Sequence, residues 1–285
     1  MTKLDRIFTG LTRKNSIWVH GHRGSASTHP ENAMPSFMEA CEAGADLLEL
    51  DVWLTRDDAL VVFHDEAISD RVCTDRQGHP VATPIPLRAL TLADLARYEC
   101  GRVPAPLYPE RPCFPDLAIP SLDQMLRETS ARHPQVGFNI EMKLPGEMTG
   151  GATPIAPGHF AERVVDMIRR NGVADRVQLQ SFNDEVVKAV RQLSAGMPVA
   201  YLLGGGEADF PARTLALGAQ TAAPYYTTLT ADNVKACHDL GIGVVPWTVN
   251  RPEEWERLME FGVDGIITDR PRALVAFLAA MPAPE

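Results

Sequence analysis

Short apolar, often β-branched runs recur along the chain at 17–21, 47–52, 60–63, 136–142, 176–180, 198–203, 220–224, 242–249 and 264–268, with helical patterns between most of them. Strands that alternate with helices pair in parallel through crossovers. This many units predicts an α/β fold closed into a (β/α)8 TIM barrel rather than an open sheet, and a chain of 285 residues is long enough for one. The runs exceed by one the eight that a barrel uses. The connection 53–59, WLTRDDA, is too short for a helix, so part of this region reads as an extended crossover and one of the nine candidates, not identified by pattern, lies outside the barrel.

Residues 65–119 break the rhythm. The stretch RVPAPLYPERPCFPDLAIP (102–120) is proline-rich and has no sustained period. An insertion this long in a compact barrel is usually functional. It predicts a cap inserted after the strand ending at His64, within one catalytic domain spanning 1–285. The N-terminal MTKLDRIFTGLTRKN places Leu4, Ile7, Phe8 and Leu11 at helical spacing, which predicts a short helix closing one end of the domain. It lacks the continuous apolar core of a signal peptide, so the expected location is cytoplasmic, with periplasmic or secreted as the alternative if a leader has been removed.

The formal net charge of −10, without a Lys/Arg block, argues against a nucleic-acid partner. No apolar run approaches the roughly 20 residues of a membrane span, so no stable membrane insertion is expected. Five cysteines, an odd number without C-x-x-C spacing, suggest neither a zinc site nor a full disulfide framework, and mostly reduced thiols are expected.

Alternation along LLELDV puts Glu49 and Asp51 on one strand face, with Leu48, Leu50 and Val52 on the other. FNIEMK repeats the device with Asn139, Glu141 and Lys143. Three clustered carboxylates raise one another's pKa unless a cation sits among them, and oxygen donors favour a hard divalent ion, Mg²⁺ or Ca²⁺. His22 and His64 each follow an apolar strand, at the barrel end where such folds carry their chemistry. Three acids and a divalent cation leave about −1, and Arg23 and Lys143 turn this positive, which suits a small anionic substrate such as a phosphodiester. Two histidines can then serve as base and acid. A salt bridge to Glu31 is the plainer reading of Arg23.

Other segments carry less. LLGGGEAD (202–209) lacks the Lys-Ser/Thr of a phosphate loop and reads as a turn. The stretch 144–158 reads equally as a mobile lid or a surface loop. Trp247 walls the substrate pocket or fills the barrel, and His20 faces inward without an evident role. Gly24 would let the backbone approach the ligand closely.

HRG at 22–24 with PEN at 30–32, ELD at 49–51, HD at 64–65, IEMK at 140–143, QSF at 180–182 and PWTVN at 246–250 together resemble the glycerophosphodiester phosphodiesterase family. The motifs follow the family's order over nearly the whole chain, and the family's fold is a TIM barrel. The resemblance implies metal-dependent hydrolysis of glycerophosphodiesters, such as glycerophosphocholine or glycerophosphoethanolamine, to glycerol 3-phosphate and an alcohol. It implies His22 and His64 as the acid/base pair, Glu49, Asp51 and Glu141 as ligands of one divalent cation, and Arg23, Lys143 and Trp247 as substrate contacts. Glu31 and Asn32 would support the site. Attack by the glycerol 2-hydroxyl through a cyclic phosphate and direct attack by water both fit. Ala33 after PEN, Asn183 after the Ser-Phe pair, and Cys73 and Asp75 in the insertion depart from the family pattern and bear on the shape of the alcohol pocket. A lysophospholipase D or phospholipase C acting on larger phospholipids is the nearest rival, with Leu107, Tyr108, Phe114 and Leu117 as an apolar entrance. A non-catalytic glycerophosphodiester-binding module is the other.

Overall fold

The computed structural model describes residues 3–144, 155–205 and 209–281. Eight parallel strands form the main sheet: β1 (Trp18–Gly21), β2 (Leu47–Leu54), β3 (Gly137–Met142), β4 (Val177–Ser181), β5 (Val199–Leu203), β6 (Thr221–Pro224), β7 (Gly243–Val244) and β8 (Gly265–Thr268). Their order is β7-β6-β5-β4-β3-β2-β1-β8. Main-chain bonds close the seam between β7 and β8, from Asp264 N to Val244 O at 2.9 Å and from Ile267 N to Pro246 O at 3.0 Å.

Each strand is followed by a helix on the outside: α1 (Met34–Glu42), α2 (Leu122–Arg132), α3 (Pro157–Arg170), α4 (Asp184–Leu193), α5 (Phe210–Ala216), α6 (Ala231–Asp239), α7 (Pro252–Glu260) and α8 (Pro271–Ala280). The fold is a (β/α)8 TIM barrel. Helix starts follow local chemistry: Ser121 caps α2, Asn183 caps α4 and Thr230 caps α6, while α3, α7 and α8 begin with proline, whose missing N–H costs nothing there. The supernumerary run is Leu60–Val62, which pairs antiparallel with the end of β2, Val52 opposite Val62.

Pleating divides the core. Leu48, Leu50, Val52, Phe138, Ile140 and Met142 pack outward against the helices in the largest hydrophobic cluster. On the inner face, Trp18, Leu47, Val245 and Ile267 close the lower end with Leu4 and Phe8 from the N-terminal segment. That segment is a single 3-10 turn, Lys3–Arg6, rather than a longer helix, but it fills the expected place.

Residues 65–119 form two two-stranded sheets, Ala67–Ile68 with Ile85–Pro86 and Thr74–Asp75 with Tyr98–Glu99, and one short helix, Leu92–Leu95. Their own cluster of Ile68, Cys73, Leu87, Leu90 and Leu95 packs onto Trp53, Val61 and Phe63.

The cysteines are mostly thiols, as expected, but one pair is bonded. Cys73 and Cys100 are joined in a disulfide, while Cys41, Cys113 and Cys237 remain thiols. The partners lie 27 residues apart and gave no spacing signal; the pairing of Thr74–Asp75 with Tyr98–Glu99 brings them together. Denatured, unreduced protein should therefore titrate with a thiol reagent as three thiols and not five. Reduction should loosen this segment by about 3 kcal/mol.

Candidate active site

The barrel's polar interior begins one layer below its mouth. Thr221 Oγ1 donates to Gln178 Oε1 at 2.9 Å, Gln178 Nε2 donates to Asn139 Oδ1 at 3.3 Å, and Asn139 Nδ2 donates to Gln180 Oε1 at 2.9 Å. Gln180 Nε2 then donates to Glu49 Oε1 at 2.9 Å, so this buried chain ends on a site carboxylate. His20 does face inward and lies in this layer, with Nδ1 3.3 Å from Asn139 Nδ2. Burial lowers its pKa from 6.5 to about 3, so the ring is neutral when folded. Unfolded chains bind the proton that the folded chain refuses between these values, so stability is complete above 6.5 and is lost as pH falls below it. The expected slope is about 1.4 kcal/mol per pH unit. Urea unfolding of the protein and a His20→Asn variant should show the variant gaining relative stability by about this slope between pH 6 and 4. A constant difference would contradict it.

Above this layer, the alternation in β2 and β3 brings Glu49, Asp51 and Glu141 together. They are buried, and each offers an oxygen within 4.8 Å of the others. Lys143 Nζ lies 2.8 Å from Glu141 Oε1 and 3.2 Å from Asp51 Oδ1. Asn32 Nδ2 donates to Asp51 Oδ2 at 2.7 Å. Burial, and after it the Asp51 charge, raises the Glu49 carboxyl. Burial also raises Glu141, with Asp51 and Glu49 adding to it against Lys143. Burial opposes ionisation of Asp51 too, but Lys143 and then Arg23 hold it well below the usual carboxylate range. A pocket of three buried hard-oxygen donors whose ionisation lacks enough positive charge fits a divalent cation.

Arg23 ties the loop after β1 to this cluster. Its N–H donates to Glu49 Oε2 at 2.9 Å, its NH1 donates to Glu31 Oε1 at 2.8 Å, and its Nε forms an ion pair with Asp51 Oδ2 at 3.3 Å. The bridge to Glu31 is present, as the plainer reading held, yet Arg23 also lines the site cavity. Arg23 and Asn32 adopt left-handed φ of 49° and 54°. Gly24 has a φ of 89°. A Cβ there would meet the Ser36 main chain at 2.6 Å, so the glycine lets this loop pack on α1.

His22 and His64 line the same cavity of 240 Å³, with Trp247, Phe182 and Leu202 on its apolar side. Trp247 walls the pocket: its Nε1 donates to Ala223 O at 2.8 Å and its ring meets Phe182 edge-on at 5.4 Å. Glu49, Glu141, both histidines, Arg23, Lys143 and Trp247 thus border one space, with Asp51 buried behind Arg23 and Lys143, Glu31 bonded to Arg23 and Asn32 bonded to Asp51. The glycines of LLGGGEAD give no phosphate loop in their described part, and most of 144–158 lies outside the described residues.

Each histidine has a carboxylate on Nδ1. Asp65 Oδ1 lies 2.8 Å from His64 Nδ1, and Asp269 Oδ1 lies 2.6 Å from His22 Nδ1. Asp269 also accepts from Asn250 Nδ2 and Tyr108 OH, each at 2.6 Å. Burial opposes its ionisation, but His22 and then the Tyr108 and Asn250 bonds hold its carboxyl well below the usual range. Sequence reasoning missed Asp269. The signal was present, since Asp269 follows the β8 strand directly, as His22 follows β1. Tyr108 comes from the proline-rich segment, and no local pattern foretold its contact.

Comparison with known proteins agrees with this geometry. Residues 22–273 match the glycerophosphoryl diester phosphodiesterase family. A glycerophosphodiester phosphodiesterase of Caldanaerobacter subterraneus is 31% identical over 90% of this chain and 96% of its own. One of Bacillus subtilis is 29% identical over 92% of this chain and 86% of its own. A crystal structure from Silicibacter pomeroyi, assigned as a glycerophosphoryl diester phosphodiesterase, is 26% identical and covers 98% of both chains with a TM-score of 0.87. The motifs along the chain, the barrel that displays them and these likenesses agree, and the chain belongs to the glycerophosphoryl diester phosphodiesterase family.

Proposed function

We propose that this phosphodiesterase hydrolyses glycerophosphodiesters to glycerol 3-phosphate and an alcohol, with one Mg²⁺ or Ca²⁺ held by Glu49, Asp51 and Glu141. The observation that supports it most is the pair of histidines lining one cavity, each with a carboxylate on Nδ1, beside a buried three-carboxylate cluster and two cations. The bound cation would supply positive charge where the phosphoryl oxygens gain negative charge in the transition state.

The chain's own residues do the rest. Arg23 and Lys143 bind the phosphate, and Glu31 and Asn32 keep Arg23 and Asp51 in place. Burial works against the Arg23 charge, yet Glu31, Asp51 and Glu49 hold it firmly protonated. Lys143 is held likewise by Asp51 and Glu141. A carboxylate accepting from Nδ1–H leaves Nε2 of each imidazole for chemistry. One histidine takes the proton of the attacking hydroxyl and the other gives a proton to the departing alkoxide. Trp247 and Phe182 provide an apolar wall for the glycerol carbons.

Phosphorus NMR of a glycerophosphocholine digest tests the direction of cleavage. Glycerol 3-phosphate with choline is expected. Phosphocholine with glycerol would contradict it, and exclusive activity on lysophosphatidylcholine would favour the larger-lipid reading. For compartment, the Cys73–Cys100 bond supports the periplasmic or secreted alternative, since such bonds persist in oxidising surroundings.

A further inference from the structure

We propose that the cavity beneath the 65–119 segment selects diesters whose departing alcohol itself carries a negative charge, such as a phosphate monoester. The proposal rests on the hydrolase reading above and adds to it the chemical class of the alcohol.

His22, Arg23 and His64 border two spaces at once, the 240 Å³ barrel cavity and a second of 680 Å³ between the barrel mouth and residues 103–111. A phosphodiester held at these three residues sends its two arms into different compartments. The smaller, with its apolar wall of Trp247 and Phe182, suits the three carbons of glycerol. The larger receives the alcohol.

The charges around the larger space are unevenly matched. Its three acids already hold a partner each: Glu31 holds Arg23 at 2.8 Å, Asp65 holds His64 at 2.8 Å and Asp269 holds His22 at 2.6 Å. Two guanidinium groups on its wall, Arg71 and Arg111, have no such partner among the described residues. Arg111 NH1 donates only to the main-chain oxygens of Ala26 and His29, both at 3.2 Å. Arg71 bonds through its main-chain N alone, to Ser69 Oγ at 3.4 Å. In a chain of net charge −10, the wall of this space balances three carboxylates with three guanidinium groups, and two of those, Arg71 and Arg111, keep their forks free of an ion pair beside the phosphate site. Guanidinium forks match phosphate and carboxylate oxygens in geometry as well as charge.

A quaternary ammonium finds less here. The Tyr108 ring on this wall already carries the Arg270 guanidinium 5.9 Å from its centre, which removes a face on which such a cation would rest.

A matched pair of substrates isolates the charge: glycerophosphoinositol and the same diester carrying a 4-phosphate on its inositol. The phosphorylated diester should show roughly tenfold higher kcat/KM at low salt, as expected for one or two partly exposed charge-assisted bonds. That ratio should fall toward one in Arg71→Ala and in Arg111→Gln, and should shrink as ionic strength rises. Equal turnover of the pair, or a preference that survives both substitutions, would overturn the proposal while leaving glycerophosphodiester hydrolysis intact. Hydrolysis of neither compound nor of glycerophosphocholine would overturn the hydrolase reading, and this proposal with it.

Discussion

His22→Ala and His64→Ala should each lower kcat by roughly 10²- to 10⁴-fold, about 3 to 5 kcal/mol of barrier, the usual contribution of a positioned general acid or base. KM should change little, because the phosphate contacts assigned to Arg23 and Lys143 stay in place. Both rings line one cavity, and each carries its carboxylate on Nδ1. Asp269→Asn provides the companion test. An amide there keeps one acceptor oxygen and turns the other into a donor, so it cannot accept from His22 Nδ1–H on one side and from Asn250 and Tyr108 on the other; with the oxygen kept for Asn250 and Tyr108, the NH2 faces His22 Nδ1 and forces the other tautomer. A loss approaching that of His22→Ala is expected, at the upper end where misorienting a catalytic histidine has such consequences. Steady-state kinetics decide it. Wild-type turnover in both alanine variants would remove the histidines from the chemistry.

Glu141→Gln or Glu49→Gln should weaken divalent-cation binding by at least about 100-fold, the upper end of what even an outer-shell change costs. Stability reads this out independently of turnover. A cation that binds only the folded chain adds about 2.7 kcal/mol at a hundred times its dissociation constant, so Mg²⁺ or Ca²⁺ should raise Tm. The rise should be absent in either variant at the same concentration. An unchanged Tm on saturating the native protein with both metals would argue that Lys143 and Arg23 alone balance the three acids.

Most of the barrel and its site was legible because period-two alternation fixes which side chains share a face. Glu49 with Asp51, and Asn139 with Glu141 and Lys143, follow from pleating alone, and β2 and β3 are neighbours with Asp51 opposite Glu141. His22 follows a barrel strand as read, whereas His64 follows the antiparallel run Leu60–Val62, which folds back along the end of β2 and so returns it to the barrel mouth beside Asp51. Contacts made by irregular segments were not. The Cys73–Cys100 bond depends on two strands of two residues each, too short to leave a pattern. Tyr108 reaches Asp269 across 161 residues of sequence from a loop without period. Gly24 shows the limit of reasoning from residue type: its freedom was evident, but Ser36, which requires it, became evident only in the fold. The ninth apolar run was recognised as surplus, and only pairing partners identified it as Leu60–Val62.

The most direct measurement takes metal-stripped protein with glycerophosphocholine and glycerophosphoinositol and follows glycerol 3-phosphate release, with and without added Mg²⁺ or Ca²⁺. Release that appears only with metal, and is lost in Glu141→Gln, is the predicted result. Equal release from the stripped protein, or none under any condition, would contradict a metal-assisted glycerophosphodiester hydrolase.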